Sequence, residues 1–352
     1  MENREVRKLS LREHGRTREL YETVFAEDSR RFVDYYYDQI ADENEIYVVE
    51  EKEKICAMLH LNPYEVHLQK QVFGLHYIVA VATREECRHQ GMMRSLLKKA
   101  LEEMYQREEP FTFLMPADPQ IYLPFGFGYF SERNFREFAP KDYRDAPALE
   151  AYPASMADVP DLAWISERIL GKQYGIYTRR TQAYYERLLE EQEAQRGEVV
   201  ILAEDRDPKG YLVYSAEDAL VEIRELAVEK GYENRVMGAL ADCFYYDENV
   251  KMYGFPEGLE TSDTKHMPFL MGRIVCLPVL IRSLSSRDPV EFSFELEDEL
   301  LPANSGCYRC RIGEEGGELE RLDPAVHPEK LTPERLIKRL ISAKDVFLHE
   351  VV

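Results

Sequence analysis

The sequence is short of the residues that most often announce a site. Of 352 residues only one is tryptophan and six are cysteine. Cys56, Cys87, Cys243, Cys276, Cys307 and Cys310 are scattered, without the spacing of a disulfide framework. Cys307 and Cys310 form a lone CxxC, and on a strand a separation of three turns the two thiols to opposite faces. No second CxxC completes a zinc site. The cysteines read as ordinary thiols of a reducing cytoplasm. No stretch approaches the roughly 20 apolar residues needed to cross a bilayer. The charged opening MENREVRKLSLREHGRTREL lacks the apolar core of a signal peptide. Positive charge is also scarce: 45 basic against 66 acidic residues give a formal charge of -21. A surface that negative repels phosphate backbones and anionic lipid, so nucleic acid and membrane are not expected partners. It attracts cationic ligands such as polyamines, aminosugars or basic peptides, unless the acidity serves solubility alone. His14, His67, His266, His327 and His349 show no metal spacing, and no metal is expected.

What is present is apolar material for real cores, 45% of the chain, and the length suggests about two domains, with a small third possible. The first third reads as α/β. Residues 10–25 look helical, and two apolar runs, 46–49 and 55–59, flank a charged hairpin turn. The run 76–83 is continuously apolar, as suits a strand covered on both faces. Gly91 then opens a helix with Met93, Leu96, Leu97, Ala100, Leu101 and Met104 on one face. Pro147 and Pro153 mark a boundary. Beyond it the order of elements repeats, with a helix over 178–195, strands 199–204, 210–214 and 220–228, and a helix carrying Val236, Ala239, Leu240 and Cys243 inward. An internal duplication is the economical reading. From about Phe269 a smaller unit follows, in which the acidic run 295–299 reads as a solvated face. Its helix starts at Thr332-Pro333-Glu334, and the end of the chain, 346–352, is mostly apolar. Trp164 reads as packing on an amphipathic helix, and His60 and His76 as core or cleft residues of strands.

The informative segment is Val81-Ala82-Thr83-Arg84-Glu85-Glu86-Cys87-Arg88-His89-Gln90-Gly91-Met92-Met93-Arg94. A strand runs into a short loop, and glycine stands where the next helix begins. The first turn of a helix leaves its N–H groups unpaired and favours negative charge. Such a place binds phosphate when no bulky side chain blocks the backbone. Gly91 removes the obstacle, and Arg88 and Arg94 add positive charge to an otherwise acidic protein.

Arg88-His89-Gln90-Gly91-Met92-Met93 resembles the R-x-x-G-x-(G/A) signature of the GNAT superfamily of acetyl-CoA-dependent N-acetyltransferases, with Met93 where that pattern prefers a small residue. The segment Ala117-Asp118-Pro119-Gln120-Ile121-Tyr122-Leu123-Pro124-Phe125-Gly126-Phe127 resembles the tyrosine and glycine-aromatic ending of the same fold. The whole chain resembles the Eis-like (enhanced intracellular survival protein) branch, which tolerates a large residue at the Met93 position. That resemblance implies an α/β (α+β) fold of tandem GNAT-type mixed sheets flanked by helices. It divides the chain into a catalytic domain 1–148, a degenerate second domain 149–272 without a cofactor site, and a small sterol-carrier-like α+β domain 273–352. In the second block, Leu226 to Val236 occupies the signature's place, and no glycine begins its helix.

The resemblance also implies site roles. The backbone of Val81, Ala82 and Thr83 would hold the pantetheine arm of acetyl-CoA and polarise its carbonyl. His89 to Arg94 would wrap the pyrophosphate, and Asp118 would add a cofactor contact. Tyr122 would be the general acid toward the leaving thiolate, against unperturbed values of roughly 10 for tyrosine and 8.5 for a thiol. The carboxylate of Val352 would serve as base or ammonium anchor, with Glu350 able to play a similar part. The acceptor would be a primary amine on an aminoglycoside, polyamine or lysine-bearing peptide, and the assembly a cytoplasmic hexamer. The rival reading is a non-catalytic module that binds acyl-CoA or an apolar ligand.

Overall fold

The computed structural model describes residues 5–217, 220–323 and 327–350. They fall into two compact units. Residues up to Ser131 together with Phe269–Val346 make the first, and Glu132–Pro268 with Phe347–Glu350 make the second.

The first unit grows from a long hairpin. Strands Glu45–Glu51 and Lys54–Leu68 join through Lys52 and Glu53, whose φ values of 50° and 64° are those a tight right-twisting hairpin turn demands. Strand Gln71–Thr83 pairs antiparallel with Lys54–Leu68 and parallel with Phe111–Leu114. Between these last two runs helix Met92–Gln106, which buries Met92, Leu96, Leu97, Ala100, Leu101 and Met104. Met92 faces inward and Met93 is only half-buried, one position from the expected stripe. The expected helix over 10–25 is a tight turn, Leu11–Thr17, running into helix Arg18–Val24.

The second unit has a seven-stranded sheet covered on both faces. Along strand Gly197–Glu204, Val200 and Leu202 enter one core while Val199, Ile201 and Ala203 enter the other, the period-two alternation of a strand buried on both sides. Its helix begins at Gln182 rather than 178, with the Thr181 side chain accepting from the Tyr184 N–H. Residues Ile176–Thr178 form a strand instead. Trp164 is half exposed, with the Arg168 guanidinium 3.9 Å above its ring, so it is not a packing residue.

The two sheets share one strand order, which supports the duplication. In the first unit it runs Arg7–Lys8, Glu45–Glu51, Lys54–Leu68, Gln71–Thr83, Phe111–Leu114, Met271–Ile274, Gly128–Tyr129. In the second it runs Glu150–Pro153, Gly197–Glu204, Asp207–Glu217, Leu220–Val228, Val250–Tyr253, Glu132–Phe138, Lys265–Pro268. The sixth position is filled by exchange. Glu132–Phe138, which follows the first block in sequence, pairs with Val250–Tyr253, and Met271–Ile274, which follows the second block, pairs with Phe111–Leu114. The chain therefore passes between units at Ser131/Glu132 and Pro268/Phe269. Prolines near 147 and 153 mark only a local break.

The segment 269–346 carries its own four-stranded sheet, built on Val290–Leu296 and Gly306–Gly313, and it also supports the first unit. Helix Pro333–Leu340 lies so close to strand Gly128–Tyr129 that a Cβ on Gly128 would meet Glu334 at 2.8 Å. Asp298, expected on a solvated acidic face, is buried. Its Oδ1 accepts from Arg273 Nη2 at 2.6 Å and from the N–H groups of Leu300 and Leu301. Arg273 Nε donates to the Phe125 carbonyl at 2.7 Å. Asp298→Ala strands a buried guanidinium and is expected to cost about 3–5 kcal/mol of stability. Urea unfolding measures this, and a loss below about 1 kcal/mol would contradict the pairing.

Candidate active site

The register of Gln71–Thr83 on Lys54–Leu68 breaks once: His60 faces Val79 and Met58 faces Ala82. Ala80 and Val81 thus oppose Leu59 alone, a β-bulge. Ala80 takes φ 50°, the left-handed region that a residue with a Cβ seldom enters. On its other edge the strand meets Phe111–Leu114 at Tyr77 and Phe113. Among the described residues no further pair forms there, so beyond the bulge Val81, Ala82 and Thr83 lie outside that ladder. Val81 and Thr83 are half-buried and Ala82 is buried. Main-chain groups at an opened edge are donors and acceptors awaiting a partner.

The chain then turns tightly. The Arg84 N–H donates to the Cys56 carbonyl at 2.9 Å, Cys87 to Arg84 at 2.9 Å and Arg88 to Glu85 at 3.2 Å. The Arg88 Nε reaches back to the Thr83 carbonyl at 3.4 Å. His89 has φ 60° and Gly91 φ 80°, so the backbone curls at two nearby points before helix Met92–Gln106. The first helical bond is Ser95 N–H to the Gly91 carbonyl at 3.1 Å. Among the described residues the N–H groups of Gly91, Met92, Met93 and Arg94 donate to no backbone carbonyl. A row of free amides at a helix N-terminus is a ready anion cradle. Arg88, His89 and Gln90 are exposed around it. Arg94 is half-buried and pairs with Glu299 at 2.9 Å. With 40% and 75% of the two side chains exposed, that pair is worth roughly 1 kcal/mol at most. It is easily exchanged for a more highly charged anion.

Tyr122 ends the short helix Pro119–Tyr122. Asp118 is exposed and caps that helix, Oδ1 accepting from the Gln120 N–H at 2.9 Å. The observed contact of Asp118 is thus with the tyrosine's own helix. The following turn, Leu123–Phe125, closes on Gly126 at φ 79°, and the Phe125 carbonyl is the one held by Arg273. The Tyr122 ring is buried edge-on to Phe127 at 5.9 Å between centroids. Its hydroxyl makes no hydrogen bond among the described residues, and burial pushes its pKa up to about 12. It is a neutral donor that no other protein group has claimed.

In the second unit the corresponding loop uses its own amides. The Gly231 N–H donates to the Glu233 carboxylate at 2.6 Å, Tyr232 to the Glu229 carbonyl at 3.2 Å and Arg235 to the Tyr232 carbonyl at 3.0 Å. His60 is fully buried and held neutral by desolvation, its pKa lowered to about 3, with Nδ1 against the Tyr36 hydroxyl at 2.8 Å. His76 pairs with the buried Glu109 at 2.8 Å. Val352 lies outside the described residues. Glu350 is buried in the second unit. The bulge at Ala80 is not foreseeable from the residues, since an apolar run such as 76–83 looks the same with or without one.

An opened strand edge, a left-handed turn and a free helix N-terminus follow one another here, an arrangement able to hold an extended ligand that ends in an anion. The family model described as Acetyltransferase (GNAT) domain matches residues 5–130, so the first unit carries a GNAT acetyltransferase domain. GNAT acetyltransferases use acetyl-CoA as co-substrate. The main-chain donors of 81–83 and 91–94 suit its amide-bearing arm and its diphosphate. Solved structures share the fold along most of the chain. A conserved protein of Enterococcus faecalis V583, described as a probable N-acyltransferase, has 15% identity and a TM-score of 0.79, covering 95% of this chain and 88% of its own. A GCN5-related N-acetyltransferase from Kribbella flavida has 16% identity and a TM-score of 0.78, covering 96% and 88%. Eis1 from Mycobacterium abscessus has 16% identity and a TM-score of 0.71, covering 96% and 89%. At such identity the likeness is one of fold. No curated protein matches the sequence.

Proposed function

We propose that the chain transfers the acetyl group of acetyl-CoA directly to a primary amine of a cationic substrate, an aminoglycoside, polyamine or lysine-bearing peptide, with both substrates bound together. The observation that carries this reading is the row of free amides from Gly91 to Arg94 following the opened edge at Val81–Thr83. A formal charge of -21 supports a cationic acceptor.

Acetyl-CoA supplies a thioester-activated acetyl group. The amides of Val81 and Ala82 would stabilise negative charge on the acyl oxygen as the amine attacks. The C–N bond forms and the C–S bond breaks. The amine's surplus proton goes to the carboxylate of Val352, and the thiolate takes the proton of the Tyr122 hydroxyl. Burial that raises the tyrosine raises a thiol leaving into the same surroundings, so the transfer stays near balance. Arg88, His89, Gln90, Met92, Met93 and Arg94 would frame the diphosphate, and Asp118 would hold the tyrosine helix while offering its free oxygen to the coenzyme.

One cofactor site per chain, a sterol-carrier-like last domain, a hexameric assembly, a cytoplasmic setting and the absence of nucleic-acid or membrane partners complete the proposal. The loop at Gly231, whose amides are already bonded, supports a single cofactor site. The test is thiol release from acetyl-CoA with a panel of amines. Deletion of Val352 is expected to lower kcat about tenfold or more, short of the roughly 100-fold of a lost general base because Val351 then carries a carboxylate one residue away, with coenzyme affinity unchanged. Unaltered kinetics would reject a role for the chain end. Coenzyme binding without amine-dependent thiol release would favour a non-catalytic acyl-CoA module.

A further inference from the structure

The second unit contains a buried polar cluster that the proposed chemistry does not use. Arg180, between strand Ile176–Thr178 and helix Gln182–Ala194, has no exposed side-chain surface. Its Nη2 lies 3.1 Å from Glu225 Oε2 and 3.5 Å from Glu350 Oε1, and its Nη1 contacts the Tyr184 hydroxyl. The hydroxyls of Tyr211 and Tyr184 donate to Glu225 Oε1 at 2.6 Å and to Glu350 Oε1 at 3.4 Å. Glu225 comes from a sheet strand, whereas Glu350 comes from the last described residues of the chain.

Glu350 does not arrive alone. The Phe347 ring packs at a tilt against Tyr174 at 4.8 Å and against His349 at 4.4 Å between centroids, with the Arg180 guanidinium 5.9 Å from its ring. His349 Nδ1 donates to the Arg224 carbonyl at 3.3 Å. Its imidazole fills the space over Gly254, where a Cβ would meet His349 Cε1 at 2.1 Å. Gly254 has φ 57°, a conformation that also favours glycine. Phe347, Leu348 and Glu350 are each 3% exposed or less. An aromatic slot, a glycine notch and a guanidinium thus take three of four consecutive residues. A lone carboxylate buried with Glu225 would be repelled; Arg180 is the group that makes room for it.

We infer that Arg180, braced by Glu225, is a positioning residue: with the Gly254 notch it forms a receptor for Phe347–Glu350 and sets where the chain end begins. The consequence for catalysis rests on the proposed role of the Val352 carboxylate, whereas the receptor itself does not.

The test is carboxypeptidase Y digestion of the full-length protein, followed by intact mass. In the wild type, trimming stops at Glu350. In Arg180→Met and in Gly254→Ala, which leaves the charge cluster intact, removal of Glu350 and the residues before it is expected to speed up about tenfold or more, since cleavage tracks the population of the open state. Arg180→Lys is expected to restore part of the protection. Acetyl-CoA affinity stays at the wild-type value in all three, and kcat, measured before digestion, falls in Arg180→Met and Gly254→Ala because the Val352 carboxylate loses its placement. Wild-type trimming rates in both Arg180→Met and Gly254→Ala, or rapid wild-type digestion through Phe347, would overturn the receptor. Faster trimming with unchanged acetylation upholds the receptor and rejects the chain end's part in the reaction, so the two failures are distinguishable.

Discussion

Tyr122→Phe is expected to lower kcat by about 100-fold or more, the lower range for loss of a positioned general acid, while acetyl-CoA affinity changes by less than about twofold. The ring is buried against Phe127, and phenylalanine keeps that packing. The hydroxyl has no hydrogen-bond partner among the described residues, so its removal leaves no protein group unsatisfied and the fold should be indifferent. The effect therefore belongs to turnover rather than stability. The pH profile carries the same information. With its pKa raised to about 12, Tyr122 stays protonated through the neutral and mildly alkaline range. The wild type should show no loss of kcat between pH 7 and 10 from this group, because a general acid fails only as pH rises through its own pKa. Equal kcat in the variant would remove Tyr122 from the reaction, and an alkaline fall near pH 9 that disappears in it would contradict the raised pKa.

Gly91→Val is expected to weaken acetyl-CoA binding about 10- to 100-fold. Gly91 sits at φ 80° immediately before the helix. A β-branched residue there costs roughly 1–2 kcal/mol in backbone strain, or moves the backbone to escape it. Either outcome disturbs amides whose charge-assisted bonds to a phosphate are worth about 1.5–3 kcal/mol each. Gly74→Ala is the internal control: it lies on the same segment of chain, and a Cβ there meets nothing within 4 Å. Calorimetric titration of both variants with acetyl-CoA makes the comparison. The affinity should also fall with salt, since the attraction between an exposed Arg88 and a diphosphate is weakened by screening. Wild-type affinity in Gly91→Val would show that the coenzyme does not use this loop.

The local elements of the site were legible because each rests on a local rule. Apolar periodicity marked helix Met92–Gln106 from its stripe, although Met92 rather than Met93 turned inward. The glycine before it marked the free amides, and Gly231, displaced from its helix, marked a loop of another kind. What escaped the sequence depends on distant partners. The bulge at Ala80 comes from register against Lys54–Leu68, and nothing in Val79-Ala80-Val81 encodes it. The exchange of Glu132–Phe138 and Met271–Ile274 is invisible because a strand's own pattern marks it as a strand without naming the distant strand it pairs with. Asp298 looked solvated within an acidic run, and only Arg273, 25 residues earlier, explains its burial. Arg180, Glu225 and Glu350 are separated by 45 residues and more, and meet only after folding. The mostly apolar end of the chain was compatible with a docked tail or with the last strand of a sheet; Val346–Phe347 is a strand, and Phe347, Leu348 and Glu350 are buried.

A crystal structure with bound coenzyme A tests the central claim most directly. The diphosphate oxygens should lie within hydrogen-bond reach of the N–H groups of Gly91, Met92, Met93 and Arg94, with the thiol sulfur directed toward the Tyr122 hydroxyl. Density for the diphosphate elsewhere on the chain, or a sulfur pointing away from Tyr122, would contradict it.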